Sequence, residues 1–398
     1  MKLQERVILH CDANNFFASC ECLDKPHLKK SPVAVSGNPK TRTGIILAKN
    51  EIAKKYGVCT GEAIWQAKQK CPDLVCLAPH HDKYQVYSEM LKKIYLDYTD
   101  RVESFGIDEC WLDVTASQKL FGNGQQIAYK IKERVKSEIG LTISVGVSFC
   151  KIFAKLGSDM KKPDAITTIT RQDYIKKTYH LPLTDVIGFG KRLSKTLSEN
   201  GIYTIGDFVN APTDFLKRKM GRPGVELKEK LTGYDFDPVV YEQPLPKSVG
   251  NGTTTVVDIK TREEVSKTIA FLCDKIASRL RKQNLFASTI GVTLKTANFE
   301  HYHHDNKMPF YTNNSSELHK QAVMLTDSFW NYSTNIRAVR VRASSLKQNC
   351  EAIQQSLFEN KKTNSLGYGI DLLRQKYGKN AIVLASNLNN KYLNDEED

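Results

Sequence analysis

Two short apolar runs that each end in carboxylates constrain this chain more than any other feature of its sequence. Val7, Ile8 and Leu9 lead into His10-Cys11-Asp12, and Val102, Phe105 and Ile107, turning at Gly106, lead into Asp108-Glu109. Both runs read as buried strands, so both sets of carboxylates sit where strands end, about a domain's width apart in sequence. An adjacent Asp-Glu pair taken alone is usually a solvated turn. Carboxylates converging from separate segments are what two Mg²⁺ ions, about 3.5–4 Å apart in phosphoryl-transfer sites, require.

The neighbouring residues suit that chemistry. After Asp12, Ala13-Asn14-Asn15 leaves the strand through small and polar residues before Phe16, Phe17 and a helical stretch. Backbone amides at such an exit can hold phosphate oxygens. Thr41 to Val58 places Lys49, Lys54 and Lys55 on an expected helix that stops at Gly57. These are either cations for a triphosphate or an ordinary solvated face.

Read together, CDANNFFASCE, AKNEIAKKYGV, GIDECWLDV, SVGVSFCKIFAKLGSDMKKPDA and VIGFGKRLSKTL resemble the Y-family translesion DNA polymerases of the bacterial DNA polymerase IV type. The five motifs occur in the family's order from about residue 6 to the final third. The resemblance implies an α+β right-hand polymerase with a ferredoxin-like palm (1–15 and 79–170) and small fingers (16–78). An all-helical thumb with a helix-hairpin-helix (171–240), a linker (241–250), an α+β little finger (251–350) and a tail (351–398) follow.

Carried over residue by residue, the resemblance makes Asp12, Asp108 and Glu109 the catalytic carboxylates and ligands of two Mg²⁺ ions, with the Ala13 carbonyl a further ligand. Phe17 falls at the steric-gate position, where an aromatic ring excludes a ribose 2′-hydroxyl, while Phe16 is expected in the core. The backbone of Asn15, Phe16 and Phe17 is implied to contact the incoming phosphates, as is Lys162. One departure stands out. Where many relatives carry a tyrosine and, three residues later, an arginine, this chain has Glu51 and Lys54. Lys54 remains a triphosphate clamp without arginine's bidentate fork, and Glu51 is expected to point away or pair with a lysine.

Composition agrees with a polyanionic partner. Of 398 residues, 58 are Lys or Arg and 44 are Asp or Glu, a formal net charge of +14. Such an excess favours salt-dependent binding to nucleic acid, though ribosomal and membrane-surface proteins share it. The length implies two to four domains. No apolar run approaches the roughly 20 residues of a membrane span, and the charged start is unlike a signal peptide, so a cytoplasmic protein is expected. The ten cysteines show no CxxC pair and read as reduced thiols. His301-Tyr302-His303-His304, lacking ligand partners at suitable spacing, reads as a polar exposed loop.

Gly188, Gly190 and Lys191, in VIGFGK, open a helix whose glycine turn lets backbone amides approach a DNA phosphate. An ordinary helical hairpin is the plainer account. Lys217 to Leu231 belongs to the same helical region. Tyr241 to Gly252, with two prolines and glycines, reads as a linker. Thr261 to Lys282 reads as an amphipathic helix, and Ile290, Val292 and Leu294 as one face of a strand. In the strand around Val339 and Val341, Arg340 and Arg342 face the other way and can lie along duplex phosphates. Gln354, Ser356, Leu357 and Phe358 match the sliding-clamp peptide pattern Q-x-S-L-F. For the tail beyond, a further partner and a dock onto the core both stay open.

The resulting expectation is a DNA-directed DNA polymerase, a nucleotidyltransferase that acts as a monomer on primer-template DNA and deoxynucleoside triphosphates. Recruitment by the sliding clamp in DNA damage tolerance, low fidelity and no proofreading go with it. Accessory mutagenesis or recombination proteins are left open as partners. A nucleotidyl cyclase or two-metal nuclease fits the carboxylates but not Phe17, the helical hairpin and the clamp peptide together. A non-catalytic DNA scaffold would be expected to lose the carboxylates.

Overall fold

The computed structural model describes residues 5–38, 44–242, 244–348, 361–378, 381–383 and 385. The chain divides into two compact units, Met1–Gly37 with Ile45–Gln243, and Asn38–Gly44 with Pro244–Asp398.

The first unit contains β1 (Ile8–Ala13), β2 (Val33–Ser36), β3 (Ile46–Lys49), β4 (Val75–Leu77), β5 (Val102–Phe105), β6 (Glu109–Asp113), β7 (Ile143–Ser148) and β8 (Ile166–Ile169). Five of them form one sheet in the order β5-β6-β1-β7-β8, and β3-β2-β4 form another. The central strand β1 is buried throughout, as its apolar run predicts. Its side chains alternate, as strand geometry demands. Leu9, Cys11 and Ala13 join the core beneath the helices His81–Leu96 and Gly124–Arg134. Ile8 packs on the other face with Ala154 of the helix Lys151–Met160, and His10 and Asp12 share that face.

Gly146 on β7 sets how closely that helix approaches. A Cβ there would lie 1.9 Å from the Ala154 carbonyl oxygen and 2.6 Å from the Ser158 nitrogen. Gly146 is also the residue opposite His10 in the β1–β7 register. The missing side chain therefore lets the helix settle directly over His10. Residues 171–240 contribute five short α-helices, from Tyr174–Thr178 to Arg222–Leu231, whose core includes Leu197, Phe208 and Leu216.

The second unit holds β9 (Ser248–Ile259), β10 (Leu285–Thr296), β11 (His301–Thr312) and β12 (Ile336–Gln348) in the order β11-β10-β12-β9. The helices Arg262–Lys282 and Ser315–Phe329 cover one face. Val265, Ile269, Leu272 and Ile276 of the first are buried against Ile290, Val292, Leu294, Val339 and Val341, as their spacing predicts. A later helix, Lys361–Tyr377, docks on Arg262–Lys282 through charge. Buried Arg281 donates to Asp371 at 2.6 Å and to the Asn313 carbonyl at 3.0 Å, and Arg374 pairs with Asp274 at 2.8 Å.

Three sequence expectations are corrected. Lys49 lies on β3, not on a helix, because β3 pairs with β2 in register Ala34↔Lys49; the helix begins at Glu51, where Asn50 accepts from the Ala53 amide at 2.9 Å. The linker is shorter than its glycines suggested, since β9 starts at Ser248 and Gly250 and Gly252 pair with Arg342 and Arg340. His301–His304 form the exposed start of edge strand β11, not a loop, and bond to β10.

Candidate active site

The two acidic motifs meet side by side. In the β1–β6 register Asp12 stands opposite Glu109, and the Ala13 amide donates to the Asp108 carbonyl at 3.1 Å. Asp108 itself is at the tip of the β5–β6 hairpin, after Gly106 in the left-handed region (φ 81°), and Glu109 opens β6. Asp12 is only 5 % exposed. Burial, together with the negative charges of Asp12 and Glu109, raises the Asp108 carboxyl to about 6.

Behind these carboxylates lies a polar layer supplied by the helix Lys151–Met160. The Lys155 ammonium is 3.1 Å from Asp12 Oδ2, 2.9 Å from Glu109 Oε2 and 3.2 Å from Asp159 Oδ2. Lys162 sits 2.8 Å from Asp12 Oδ2 and 2.8 Å from Asp159 Oδ1. Burial works against both lysine charges, yet the surrounding carboxylates outweigh it and hold both ammonium groups above the ordinary lysine range.

His10 completes the layer. Its Nδ1 is 2.8 Å from Ser158 Oγ, and that hydroxyl donates to the Lys155 carbonyl at 2.8 Å. This chain of hydrogen bonds assigns the proton to Nδ1 and leaves a lone pair on Nε2, which faces Glu109 Oε2 at 3.3 Å. Burial and the Lys155 charge lower the His10 pKa to about 3, so the ring is neutral. His10 Nε2 has no hydrogen-bond donor among the described residues, and Glu109 Oε2 has only the Lys155 ammonium. Carboxylates crowded at like charge are a donor set suited to a hard divalent cation. His10, Asp12 and Glu109 each offer an atom within 4.8 Å of the others.

Beside the carboxylates the helix Phe16–Leu23 begins. Asn15 adopts the left-handed conformation (φ 50°), and no side chain caps the helix, so its first amides stay open to a ligand. The Asn15 amide group instead donates to Glu51 at 3.2 Å, and Glu51 also lies 3.8 Å from Lys54. The unusual Glu51 is thus paired, as expected, and links Lys54 to this turn. Phe16 is buried in the core. Phe17 is partly buried and stacks on Tyr84 at 4.3 Å with 12° between the rings. The Tyr84 hydroxyl donates to buried Glu21 at 2.8 Å, which fixes the platform under Phe17.

The other predicted positions lie elsewhere. Gly190 precedes the helix Lys191–Ser198 without a side-chain cap, and Gly188 has φ 100°. Arg340 is exposed on β12, while Arg342 donates to Asp305 at 2.7 Å. Gln354, Ser356, Leu357 and Phe358 lie outside the described residues. His10, Lys155, Asp159 and Tyr84 were missed by sequence reasoning. Period two from Asp12 would have flagged His10, and the i, i+4 spacing of Lys155 and Asp159 would have paired them.

Residues 11–159 match the model of the impB/mucB/samB family, and residues 246–357 match that of the family's C-terminal domain. A protein called DNA polymerase IV from Acetivibrio thermocellus is 44 % identical over 94 % of this chain and 95 % of its own length. One called DNA polymerase IV 2 from Bacillus subtilis is 33 % identical over 97 % of this chain and 95 % of its own. A solved chimera of the Y-family DNA polymerases Dbh and Dpo4 shares the fold, with a TM-score of 0.77 at 24 % identity over 86 % of this chain and all of its own. Identity of this order along nearly the whole length means that the chain belongs to the impB/mucB/samB family, the Y-family DNA polymerases of the DNA polymerase IV type.

Proposed function

We propose that this chain, a DNA-directed DNA polymerase by family, extends a primer at the site formed by Asp12, Asp108 and Glu109, with two Mg²⁺ ions as its cofactor. What carries this reading is the pairing of Asp12 with Glu109 across β1 and β6, with Asp108 beside them, next to an uncapped helix start. The three carboxylates and the Ala13 carbonyl hold the metal. When bound, Mg²⁺ would supply charge neutralisation and Lewis-acid activation as the primer 3′-oxygen attacks the α-phosphate and the α–β bond breaks to release pyrophosphate.

The chain's own groups position the reactants. The amides of Asn15, Phe16 and Phe17, at the positive end of a helix, receive the triphosphate together with Lys162 and Lys54. Phe17, backed by Tyr84, occupies the space beside the sugar and selects deoxynucleotides by exclusion. The five-stranded sheet acts as palm, the β3-β2-β4 sheet as fingers, residues 171–240 as thumb and the sheet of the second unit as little finger. Gly188, Gly190 and Lys191 meet backbone phosphates, and so do Arg340 and Arg342. Gln354, Ser356, Leu357 and Phe358 recruit the sliding clamp, which offsets weak intrinsic hold on DNA; fidelity is low and no proofreading accompanies synthesis.

The test is primer extension with Mg²⁺ and single deoxy- or ribonucleotides, comparing the native chain with Asp108→Ala. Templated extension that vanishes in the variant supports the site, and rejection of ribonucleotides supports Phe17. Tight primer-template binding without extension by the native chain would point to a scaffold.

A further inference from the structure

The carboxylate site already holds a cation of the protein's own. Lys155 touches Asp12, Glu109 and Asp159, all within 3.2 Å, and Lys162 bridges Asp12 and Asp159 at 2.8 Å each. Asp12 and Glu109 face each other across two strands, so without a neighbouring cation their charges would repel in a poorly solvated place. Asp159 differs from them. It sits near the end of the helix Lys151–Met160, about one-third exposed, and does not take part in the strand pairing. Lys155 therefore has two carboxylate partners in the site and Lys162 one, and both share Asp159 outside it.

Resting on the two-metal reading above, we infer that Lys155 and Asp159 form a cation-exchange device. In the metal-free enzyme Lys155 is a resident counterion that holds Asp12 and Glu109 in place. When a divalent ion takes those carboxylates, Asp159 receives the displaced ammonium groups of Lys155 and Lys162. A lysine with no second acceptor would be left buried and unpaired on metal entry, at a cost that weakens metal binding. With Asp159 present, the exchange swaps one ion pair for another. Lys155 and Asp159 are thus positioning residues that act through the metal-holding carboxylates. His10, neutral and fixed by Ser158, leaves room for this exchange because its lone pair faces Glu109 without donating to it.

The experiment measures Mn²⁺ binding to the full-length chain without DNA, from the electron paramagnetic resonance signal of free Mn²⁺, with folding checked by circular dichroism. Lys155→Met should tighten binding by about tenfold, since a competitor for Asp12 is removed. Asp159→Asn should weaken it several-fold. In the Lys155→Met background the Asp159→Asn effect should shrink by about half or more, because Asp159 then has only Lys162 to receive. Equal effects of Asp159→Asn in both backgrounds would reveal a simple long-range charge term and overturn the exchange. Weaker binding in Lys155→Met would make it a structural prop and also overturn it. If Lys155→Met does not fold, Asp159→Asn alone decides, and unchanged Mn²⁺ affinity there rejects the inference. Asp12→Asn separates the two levels. Loss of Mn²⁺ binding in that variant, with no response to the other two, overturns the exchange alone, whereas a native chain that binds no Mn²⁺ overturns the metal reading and this inference with it.

Discussion

The carboxylate cluster of the first unit and the arginine-bearing face of β12 in the second handle charge in opposite ways. At the cluster, charges of both signs are packed together at 2.8–3.2 Å, largely out of solvent, and each depends on its neighbours. On β12, Arg340 is exposed and Arg342 has one surface partner, Asp305. The residues opposite them, Gly252 and Gly250, add no side chain to that face. Converging charges suit chemistry at one point; spread charges suit a long polyanion whose position can slide. One residue should therefore decide the outcome in the first region and only modulate it in the second.

Substitutions test whether single residues decide the outcome at the cluster and only modulate it on β12. The largest effect is expected from Asp108→Asn, with templated extension falling on the order of 10³-fold, as when a single key electrostatic group is removed. The same change should stabilise the metal-free protein. A carboxyl raised to about 6 when folded binds more protons than in the unfolded chain between about pH 4 and 6, so its ionisation erodes native stability as pH rises through that window. Denaturation of the two proteins should agree near pH 4 and diverge above pH 6 by on the order of 2 kcal/mol in the variant's favour. A variant less stable at pH 7 would contradict the crowding of charge at this site.

Next, Asp371→Ala should cost about 3 kcal/mol in the unfolding of the second unit, because it strips the carboxylate from a buried guanidinium. Phe17→Ala should raise ribonucleotide incorporation relative to deoxynucleotide by more than about tenfold, or 1.4 kcal/mol, in single-nucleotide extension. An unchanged ratio would remove Phe17 as the gate. The smallest effects belong to β12. Arg340→Ala and Arg342→Ala should each weaken duplex binding alike for all sequences and reduce the slope of log affinity against log salt by about one. A much larger or sequence-dependent loss would show that this face concentrates its energy as the carboxylate cluster does.

The carboxylates were legible because each ends a recognisable apolar run, and such a signal survives without knowledge of the fold. The strand faces of β10 and β12 were legible for the same reason, since half-buried strands alternate. Lys155 and Asp159 were not assigned, because their meaning arises only when Gly146 lets a helix settle on β1, a contact between segments far apart in sequence. Edge strand β11 escaped notice since its first residues are exposed on both faces and show no alternation. The glycines of β9 suggested a linker because composition does not report pairing. Lys49 was misplaced for a related reason: a four-residue strand followed at once by a capped helix reads as one helical stretch.

The buried Arg281–Asp371 clasp has a practical bearing on how the end of this chain can be studied. Removing everything beyond residue 360 looks a gentle way to ask what the tail does, yet it would take from Arg281 both its carboxylate and the helix that covers it. Any loss of DNA grip or partner recruitment in such a shortened protein would then mix a missing ligand with a loosened scaffold. Arg281→Met in the full-length chain gives the matching control: it removes the charged clasp and keeps the tail, so what fails only on deletion belongs to the tail itself.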